Sequence, residues 1–438
     1  MRVGFVVEQL LAPVPGGTGR YSAELAAALA RTAAPGDLVA GWCAAHRGFD
    51  AAALPGVLGP MRLPLPRRAL AATWSRGVGP SPRGVDVLHA PTLLLPPPGG
   101  TGGQAVRLAA ERIRGGRPGL VDQSRPAGGA RWPGRAGMSR SLRAMFADTL
   151  DRSRPRPRLV VTIHDAVPWT HPETLTPHGA RWHRQMGERA ARLADAVVVP
   201  TVAVAAEIAR QLPLDPARLH VIGEGVAEAV VRVPPDAEAR AVRLGLPPAG
   251  GYLLTLATCE PRKGLDTALA ALGHPDDPGL PLVHVGAPGW GGLDVRSEAT
   301  RLGLGTDRVR TLGRISDEDL AVVLARAGVL LAPSRSEGFG LPVVEAMAHG
   351  VPVVVSDAPA LVEVAGPAAL VAGIGDAAAL AGAVARIVGD PRLRARLSAA
   401  GRARAQTFTW NAAARETWAL YRRVCGSPAV SVADDGRA

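Results

Sequence analysis

The stretch PSRSEGFGLPVVEAMAHGVPVVVSD, residues 333–357, contains the pattern that decides the fold. A strand is predicted to end at Ser334, and a glycine-containing loop follows it. Pro342 is expected in the first turn of a helix, where its missing N–H costs no hydrogen bond. Gly350 is placed to end that helix, and Pro352 follows it. The pattern therefore predicts a strand, a loop and a helix in succession.

Two carboxylates accompany this strand, loop and helix. Glu337 lies on the loop, and Glu345 lies about one turn into the helix. The backbone N–H groups of such a loop can approach a diphosphate, and the helix dipole favours its negative charge. The Glu345 carboxylate can accept paired hydrogen bonds from ribose hydroxyls, while Glu337 faces the side on which a sugar would lie. The combination, at the carboxyl edge of a sheet, indicates a site for a nucleotide-sugar.

The rest of the chain alternates strands and helices in two series. Short β-branched runs separated by helical patterns predict βαβ units and a parallel sheet. The first series has a helix at 20–30 and strands at 2–7, 86–91, 159–165 and 196–201. After a pause near residue 226, the second has strands at 252–259, 282–289, 308–314, 328–334 and 351–357. Thr201 and Ser316 are predicted to cap helices.

These two series predict two α/β domains, with a ligand cleft between them. The first domain is expected over 1–225 and the second over 226–409. A last helix is expected over 410–424. Residues 425–438 are expected to be a disordered tail.

The net charge of +12 is concentrated in one segment. Residues 99–158 contain 13 arginines and four acidic residues, so most of the surplus lies there. This segment is also rich in Gly and Pro and poor in aliphatic residues, which predicts a disordered insertion. A solvated loop is the simpler interpretation, and a basic patch for anionic lipid or a polyanionic acceptor is the alternative. A surface for nucleic acid across the fold is not indicated.

The cysteines and the apolar runs bear on location. Cys43, Cys259 and Cys425 lie far apart in the sequence, which argues against a disulfide framework or a structural zinc site and fits a reducing cytoplasm. The apolar run at 3–7 is interrupted by Glu8, and no apolar stretch reaches about 18 residues. We expect a cytoplasmic protein, either soluble or held peripherally at the inner face of the membrane.

The segment SEGFGLPVVEAMAHGVPVV resembles the donor-binding signature of glycosyltransferase family 4, whose members are retaining enzymes of the GT-B fold. The resemblance implies that Glu337 contacts the donor hexose and Glu345 the nucleotide ribose. It also assigns a donor-binding loop with backbone amides on the transferred sugar and phosphate. The residues of that loop are Gly338, Phe339, Gly340 and Leu341.

Further segments resemble the family in the same order. GGTGRYSAELAAAL (16–29) is similar to its N-terminal glycine loop, where the residues expected near donor phosphate or acceptor are Gly17, Thr18 and Gly19. VTIHDAVPWTHPE (161–173) resembles its His-containing loop, which would put His164 near the transferred sugar. TCEPRKGLDTAL (258–269) resembles the EPRK loop of a bacterial mannosyltransferase-like branch. That loop would place Arg262 and Lys263 beside the pyrophosphate.

The resemblance covers nearly the whole chain except 99–158 and the extreme C-terminus. It implies the GT-B fold, in which two Rossmann-like domains face each other across a donor-binding cleft. The N-terminal domain (1–225) would then lie on the acceptor side, the second domain (226–409) would bind the nucleotide-sugar, and the last helix (410–424) would pack back on the N-terminal domain. It also implies hexosyl transfer with retention at the anomeric carbon, with the catalytic residues His164, Lys263 and Glu337. The leaving phosphate would help to deprotonate the acceptor hydroxyl. GDP-mannose is the favoured donor, with UDP- and dTDP-hexoses as alternatives, and the acceptor is a glycan, a lipid or a small molecule.

No cofactor or metal is expected. The chain has no acidic pair of the DxD type to hold a divalent ion, so Arg262, Lys263 and a helix N-terminus would neutralise the diphosphate. Three histidines lack a carboxylate that would complete a metal site and are expected at the surface. These are His171, His178 and His183.

The chain departs from the family pattern at one point. Many family members carry an arginine five or six residues before the loop lysine, where this chain has Ala257 and Thr258. Lys263 should then be the primary phosphate contact. Arg262 is either a second phosphate ligand or a surface charge, and Arg20 is the first candidate for the missing cation.

Each site residue also has a simpler interpretation. His164 could satisfy a backbone group, Lys263 could be an exposed charge, and Glu337 or Glu345 could be solvated. A nucleotide-sugar epimerase, or a sucrose- or trehalose-type synthase, would share the fold. A non-catalytic partner subunit is the alternative of a different class, and the presence of the site residues argues against it.

Overall fold

The protein is described by a computed structural model, which covers residues 1–97, 156–289 and 291–426. Most of the predicted insertion 99–158 and of the predicted tail 425–438 therefore lies outside the described residues. The strands of the described residues are β1 (Arg2–Val6), β2 (Leu38–Cys43), β3 (Leu58–Arg62), β4 (Val87–Ala90), β5 (Arg158–Thr162), β6 (Ala196–Val199), β7 (Leu219–Val221), β8 (Leu253–Leu256), β9 (Leu282–Val285), β10 (Val309–Gly313), β11 (Val329–Ala332), β12 (Val353–Ser356) and β13 (Ala369–Ala372).

The helices begin and end as follows. They are α1 (Gly16–Arg31), α2 (Arg67–Ser75), α3 (Val167–Thr170), α4 (Pro177–Leu193), α5 (Val202–Gln211), α6 (Glu228–Val231), α7 (Ala237–Leu244), α8 (Leu265–Ala271), α9 (Val295–Arg301), α10 (Asp317–Arg326), α11 (Leu341–Ala348), α12 (Pro359–Ala365), α13 (Ala377–Gly389), α14 (Pro391–Ala405) and α15 (Trp410–Val424). A short 3₁₀ turn, Pro261–Lys263, precedes α8.

The strands form two sheets. The first has seven strands in the order β3-β2-β1-β4-β5-β6-β7, and the second has six in the order β10-β9-β8-β11-β12-β13. Strand pairs with a described register are parallel in both sheets. The strand order reverses between β1 and β4 in the first sheet and between β8 and β11 in the second. Ligands of such sheets bind beyond the carboxyl ends of the strands at a reversal of this kind.

The chain divides into two compact units. One comprises Met1–Thr162, Arg192–Ala196 and Trp418–Ala438, and the other comprises Ile163–Ala191 and Val197–Thr417. In the first unit, Trp418 of α15 donates from Nε1 to the carbonyl of Leu29 at 3.0 Å. The domain limits expected near residues 225 and 409 stay predictions.

The six-stranded sheet is covered on both faces, as parallel sheets usually are. Successive residues of β8, Leu253 and Leu254, are both buried and belong to different apolar clusters. Val353 and Val354 of β12 divide in the same way. Because both faces are buried, these strands are continuous apolar runs, and this made them visible in the sequence.

The helix predicted after the glycine loop is confirmed as α11. Gly340 precedes it with a φ of +92°, and a Cβ there would lie 2.6 Å from Leu361 Cδ2. Pro342 lies in the first turn. Gly350 has a φ of +73° just beyond the last turn and donates its N–H to Met347 O at 2.8 Å. Glycine is needed at both ends of the helix because a side chain is strained in this conformation.

The predicted helix caps are also confirmed. Thr201 accepts from the N–H of Val204 at 3.2 Å, and Ser316 accepts from that of Asp319 at 3.2 Å. Four strands, β2, β3, β7 and β13, were not predicted from the sequence. The first helix was predicted to begin at residue 20, whereas α1 begins at Gly16.

A buried row of polar side chains crosses the first unit. His89 bonds through Nδ1 to the Tyr421 hydroxyl at 2.6 Å and through Nε2 to Thr162 Oγ1 at 2.9 Å. Thr162 Oγ1 lies 3.0 Å from the Tyr21 hydroxyl. We call these four residues the hydroxyl–imidazole chain.

Within the described ranges, no helix has both the length and the apolar content needed to cross a bilayer.

Candidate active site

The site lies where β8 and β11 end, at the reversal of the six-stranded sheet. The Pro261–Lys263 turn follows β8, and the 333–340 loop follows β11. These strands are parallel neighbours, with Val329 beside Leu253. Their carboxyl ends therefore meet, and the two following segments come together at one edge of the sheet.

Lys263 and Glu337 form the centre of this site. The Lys263 Nζ lies 2.6 Å from Oε1 of Glu337, and Ser334 Oγ donates to the same oxygen at 2.8 Å. The two charged side chains are only 15% and 12% exposed. Lys263 is therefore not an exposed charge, and Glu337 is not a solvated loop residue. The anion nearest Lys263 in the structure is Glu337.

Arg262 joins the same cluster from the other side. Its NH1 lies 3.4 Å from Oε2 of Glu337, and its Nε donates to Glu260 at 3.1 Å. Glu260 also accepts from the Thr258 hydroxyl at 2.7 Å. We call Arg262, Lys263, Glu337 and Glu260 the ionic cluster. Its two cations and two carboxylates balance, so its formal charge is zero without a ligand.

The pKa values show how this cluster is charged. Burial alone would raise the pKa of Glu337, but Lys263, Arg262 and the hydrogen bond from Ser334 lower it to about 2. The pKa of Lys263 is also lowered, although an ion pair by itself would raise it. Burial and the adjacent Arg262 outweigh the attraction of Glu337. Glu337 is thus firmly ionised, whereas the ammonium of Lys263 lacks full compensation and would gain from a further anion.

Lys263 is also distinctive in composition. It is the single lysine in the chain, and the other 49 of the 50 basic residues are arginines. An ammonium is a compact charge on a flexible stem, whereas a guanidinium is a planar fork. Lysine at this position alone is consistent with a role that depends on a small, movable cation.

Glu345 is buried on α11, with a relative exposure of 3%. It lies one turn into the helix, as the sequence predicts, but not at the surface. Burying a carboxylate costs free energy unless polar partners compensate it, which favours a binding role for Glu345. Its assignment to the ribose stays a prediction.

The glycine loop is held by backbone contacts within the second unit. A Cβ at Gly338 would lie 1.9 Å from the carbonyl oxygen of His164, so only glycine fits there. The Gly338 carbonyl accepts from the Thr201 hydroxyl at 3.0 Å. The buried Phe339 packs edge-on against Phe408, with ring centroids 5.3 Å apart. Residues 338–341 have no polar side chain, and the side chains of Phe339 and Leu341 are buried, so the polar groups that these four residues can offer are those of their backbone.

His164 lies beside this loop, two residues after β5. Its Nδ1 is 3.7 Å from Oε1 of Glu224, a residue with only 6% of its side chain exposed. The structure therefore brings His164, Glu224 and Gly338 together. Sequence reasoning missed Glu224, for which the only signal is a single acidic residue between Gly223 and Gly225.

Gly17, Thr18 and Gly19 belong to the first unit and lie in the first turn of α1, so the expected glycine loop is helical. The Thr18 hydroxyl donates to Pro15 O at 3.2 Å. A Cβ at Gly19 would lie 2.3 Å from that of Pro15, whereas one at Gly17 would meet nothing within 4 Å. Gly19 thus serves close packing, whereas Gly16 and Gly17 leave open space at this helix start.

Of two cavities in the described residues, one is lined by predicted site residues and the other is not. One of about 20 Å³ is lined by Lys263, Glu337, Gly340 and Pro342 and has room for about one water molecule. A wider depression of about 580 Å³ lies beside β13 and α13, where Asp276 and Arg386 line it without any predicted site residue. Charge and position, more than volume, mark the site. Among the described residues, no group of three potential metal ligands is present.

Solved structures confirm the fold class. Sucrose-phosphate synthase from Thermosynechococcus elongatus superposes with a TM-score of 0.67 and 22% identity, covering 97% of this chain and 99% of that one. Two parallel α/β sheets and this similarity define the GT-B fold. The expected fold class is therefore confirmed.

Sequence comparisons then identify the family. The model for Glycosyltransferase Family 4 matches residues 15–229, and that for Glycosyl transferases group 1 matches 237–404. The chain belongs to glycosyltransferase family 4. Its relatives include the D-inositol 3-phosphate glycosyltransferase of Jonesia denitrificans, which is 30% identical over 241 residues, 52% of this chain and 57% of that protein.

Another relative is the MMP alpha-(1->4)-mannosyltransferase of Mycolicibacterium hassiacum. It is 33% identical over 284 residues, which are 60% of this chain and 65% of that protein. The matched regions thus span less than two thirds of these relatives. Family membership rests on the two consecutive family matches, and the reaction of the whole chain is a separate question.

Proposed function

We propose that this chain transfers a hexose from a nucleotide-sugar to an acceptor hydroxyl, with retention at the anomeric carbon. The observation that best supports this proposal is the ionic cluster. It holds Lys263 and Arg262 at the point where the strand order of the sheet reverses, which is where α/β folds bind nucleotides. A leaving diphosphate needs positive charge that is already in place when the bond breaks. Family membership supports the same reaction.

The cluster suggests how donor binding would proceed. Without a ligand, the carboxylate of Glu337 forms an ion pair with the ammonium of Lys263 at 2.6 Å. The diphosphate would compete for this ammonium and for the Arg262 guanidinium. Released from the pair, the Glu337 carboxylate could accept hydrogen bonds from the hexose hydroxyls. Phosphate binding and sugar binding would then be coupled through one side chain.

The remaining residues take supporting positions in this proposal. Glu345 would bind the ribose, and the backbone N–H groups of the 338–341 loop would bind the sugar and phosphate. His164 would contact the transferred sugar, with Glu224 orienting its ring. Gly17, Thr18 and Gly19 would approach donor phosphate or acceptor. No metal or cofactor is assigned a step.

For the donor, GDP-mannose is the first choice. The EPRK loop resembles a mannosyltransferase-like branch, and one relative is named as a mannosyltransferase. UDP- and dTDP-hexoses are the alternatives. The acceptor is a glycan, a lipid or a small molecule, and a peripheral contact with anionic membrane is a further part of the proposal.

A donor panel tests this function directly. The purified chain is incubated with GDP-mannose, UDP-glucose and dTDP-glucose, and nucleotide release is measured with and without candidate acceptors. We expect release from one donor to exceed the others, and the anomeric configuration of the product to match that of the donor. Nucleotide release that is identical in the parent and in Lys263→Ala would overturn the assignment.

A second test does not depend on the donor. Pyridoxal phosphate forms an imine with an amine and releases water, and borohydride reduces the imine to a stable adduct. Because Lys263 is the only lysine, its side chain and the N-terminal amine are the only aliphatic amines that can react. We expect GDP or UDP to protect Lys263, as measured by peptide mass spectrometry. Lys263→Arg serves as the control that carries only the N-terminal signal.

A non-catalytic partner subunit remains the alternative of a different class. Such a subunit has no need for a buried pair of cations balanced by two carboxylates, which costs desolvation energy. If all donors stay intact but nucleotides still protect Lys263, the alternative is favoured.

A further inference from the structure

The Pro261–Lys263 turn is short and holds two adjacent cations. Arg262 and Lys263 repel each other, and their side chains are only 19% and 15% exposed. Within the turn, the N–H of Lys263 donates to Glu260 O at 3.0 Å. The residue before the turn makes no side-chain cap. Something outside the turn must therefore keep it in place.

Arg335, on the loop that follows β11, supplies these contacts. Its backbone N–H donates to Arg262 O at 2.7 Å. Its NH1 donates to the carbonyl of Pro261. Its guanidinium also binds Asp266 in the first turn of α8, with NH2 2.6 Å and NH1 3.2 Å from the two carboxylate oxygens. One residue thus reaches both sides of the turn.

The glycine after the turn completes this arrangement. Gly264 has a φ of +64°, and a Cβ there would lie 2.0 Å from Pro333 O. The turn therefore packs directly against the backbone of the 333–340 loop. Arg335 and Gly264 together determine how far the loop that carries Glu337 lies from the turn that carries Lys263.

We propose that Arg335 is a positioning residue for the phosphate-binding cations, acting through the contacts of its guanidinium with Asp266 and the carbonyl of Pro261. The inference rests on the proposed function, because the anion that Lys263 and Arg262 meet is taken to be the donor diphosphate. Without the contacts of the Arg335 guanidinium, the Pro261–Lys263 turn can shift. The two cations would then lose the common position that a diphosphate requires.

The chain contains a matched control at the opposite edge of the same sheet. Arg308 precedes β10, binds Asp277 at 2.5 Å and donates to Leu280 O at 3.3 Å. This is also an arginine with one aspartate and one carbonyl as partners, but it lies at the amino ends of the strands. Arg308→Gln therefore reports the loss of such an interaction without a change at the cations.

The experiment compares by calorimetry the binding of GDP with GMP, of UDP with UMP, and of dTDP with dTMP. For the nucleotide pair that the parent prefers, we expect Arg335→Gln and Asp266→Asn to reduce the diphosphate-to-monophosphate affinity ratio by about tenfold. Arg335→Lys should recover only part of the ratio, because an ammonium cannot form the bidentate contact. Arg308→Gln should leave the ratio unchanged.

The outcomes separate this inference from the proposed function. If the parent discriminates diphosphate from monophosphate and both variants keep its ratio, the positioning role is wrong while the function stands. If the parent binds none of GDP, UDP and dTDP, both are wrong. Asp266 is 46% exposed, so Asp266→Asn offers a variant whose folding is not endangered should Arg335→Gln fail to fold.

Discussion

The ionic cluster of the second unit and the hydroxyl–imidazole chain of the first unit are both buried polar groups, but they differ in charge. The hydroxyl–imidazole chain contains no carboxylate, ammonium or guanidinium, and burial raises the pKa of Tyr421 well above its usual value, so its hydroxyl keeps its proton. In the ionic cluster, Glu337 is ionised with a pKa of about 2.

This difference separates a structural network from a binding site. The hydroxyl–imidazole chain joins its four buried members by three hydrogen bonds and contains no opposed charges that an anion could separate. The ionic cluster is balanced only while Glu337 holds the cations, and a more highly charged anion can take its place. We therefore expect variants of the ionic cluster to change catalysis and variants of the chain to change stability.

The largest effect is expected for Lys263→Ala. Removing a preorganised charge beside a developing anion should lower turnover by about a hundredfold or more. Steady-state kinetics with the preferred donor measures this, and Lys263→Arg should retain part of the activity because it keeps the charge. A Lys263→Ala enzyme within threefold of the parent would place the phosphate elsewhere.

The second effect concerns Glu337 and acid stability. Its folded pKa of about 2 lies below the ordinary value of 4.5, so the stabilisation is complete above pH 4.5 and is lost as the pH falls towards 2. Glu337→Gln should lower the free energy of unfolding by about 2 kcal/mol at pH 7. Because the pKa of Lys263 is lowered as well, the net value should stay below what the shift of Glu337 alone implies.

Urea unfolding at several pH values measures this prediction. The difference between the parent and Glu337→Gln should shrink as the pH falls below 4.5. Glu173→Gln, at a carboxylate that is 66% exposed, is the control that should show little difference at any pH. A difference that is constant from pH 7 to pH 3 would contradict an ionised, paired Glu337.

A smaller effect is expected for Arg262→Ala. Its guanidinium is shared between Glu260 at 3.1 Å and Glu337 at 3.4 Å, so it is held less closely to the centre of the site than Lys263. We expect turnover to fall by about tenfold. A loss as large as that of Lys263→Ala would show that Arg262 replaces the arginine missing at Ala257 or Thr258. Unchanged turnover would leave Arg20 as the candidate.

The sequence predicted the parts of the fold that have strong local signals. The buried strands β8, β11 and β12 are continuous apolar runs, and α11 is bounded by Gly340 and Gly350. Two of the missed strands have weaker patterns, whereas β2 is a buried apolar run that was overlooked. β3 contains Gly59 and Pro60, and β7 has three residues with no buried side chain. Sheet pairing rather than local propensity makes these segments strands.

The site was predictable residue by residue but not in its connections. Lys263 and Glu337 were identified from motifs 74 positions apart, yet their ion pair depends on β8 and β11 being neighbours. Glu224 and Arg335 were missed because their roles arise only from tertiary contacts. No local pattern distinguishes such residues from ordinary surface charges.

The smallest effect is expected for Tyr421→Phe, which tests the other half of the comparison. The substitution removes one hydroxyl and leaves Nδ1 of the fully buried His89 without that partner. The free energy of unfolding should fall by about 1 kcal/mol, while the turnover and the Michaelis constant for the donor should stay within about twofold of the parent. Tyr21→Phe removes the hydroxyl at the other end of the chain, so the double variant completes a cycle. A coupling energy of at least about 0.5 kcal/mol would show that His89 and Thr162 transmit an interaction between the two ends. If Tyr421→Phe instead lowered turnover tenfold with unchanged stability, the hydroxyl–imidazole chain would belong to the catalytic machinery, and the division between a structural network and a binding site would fail.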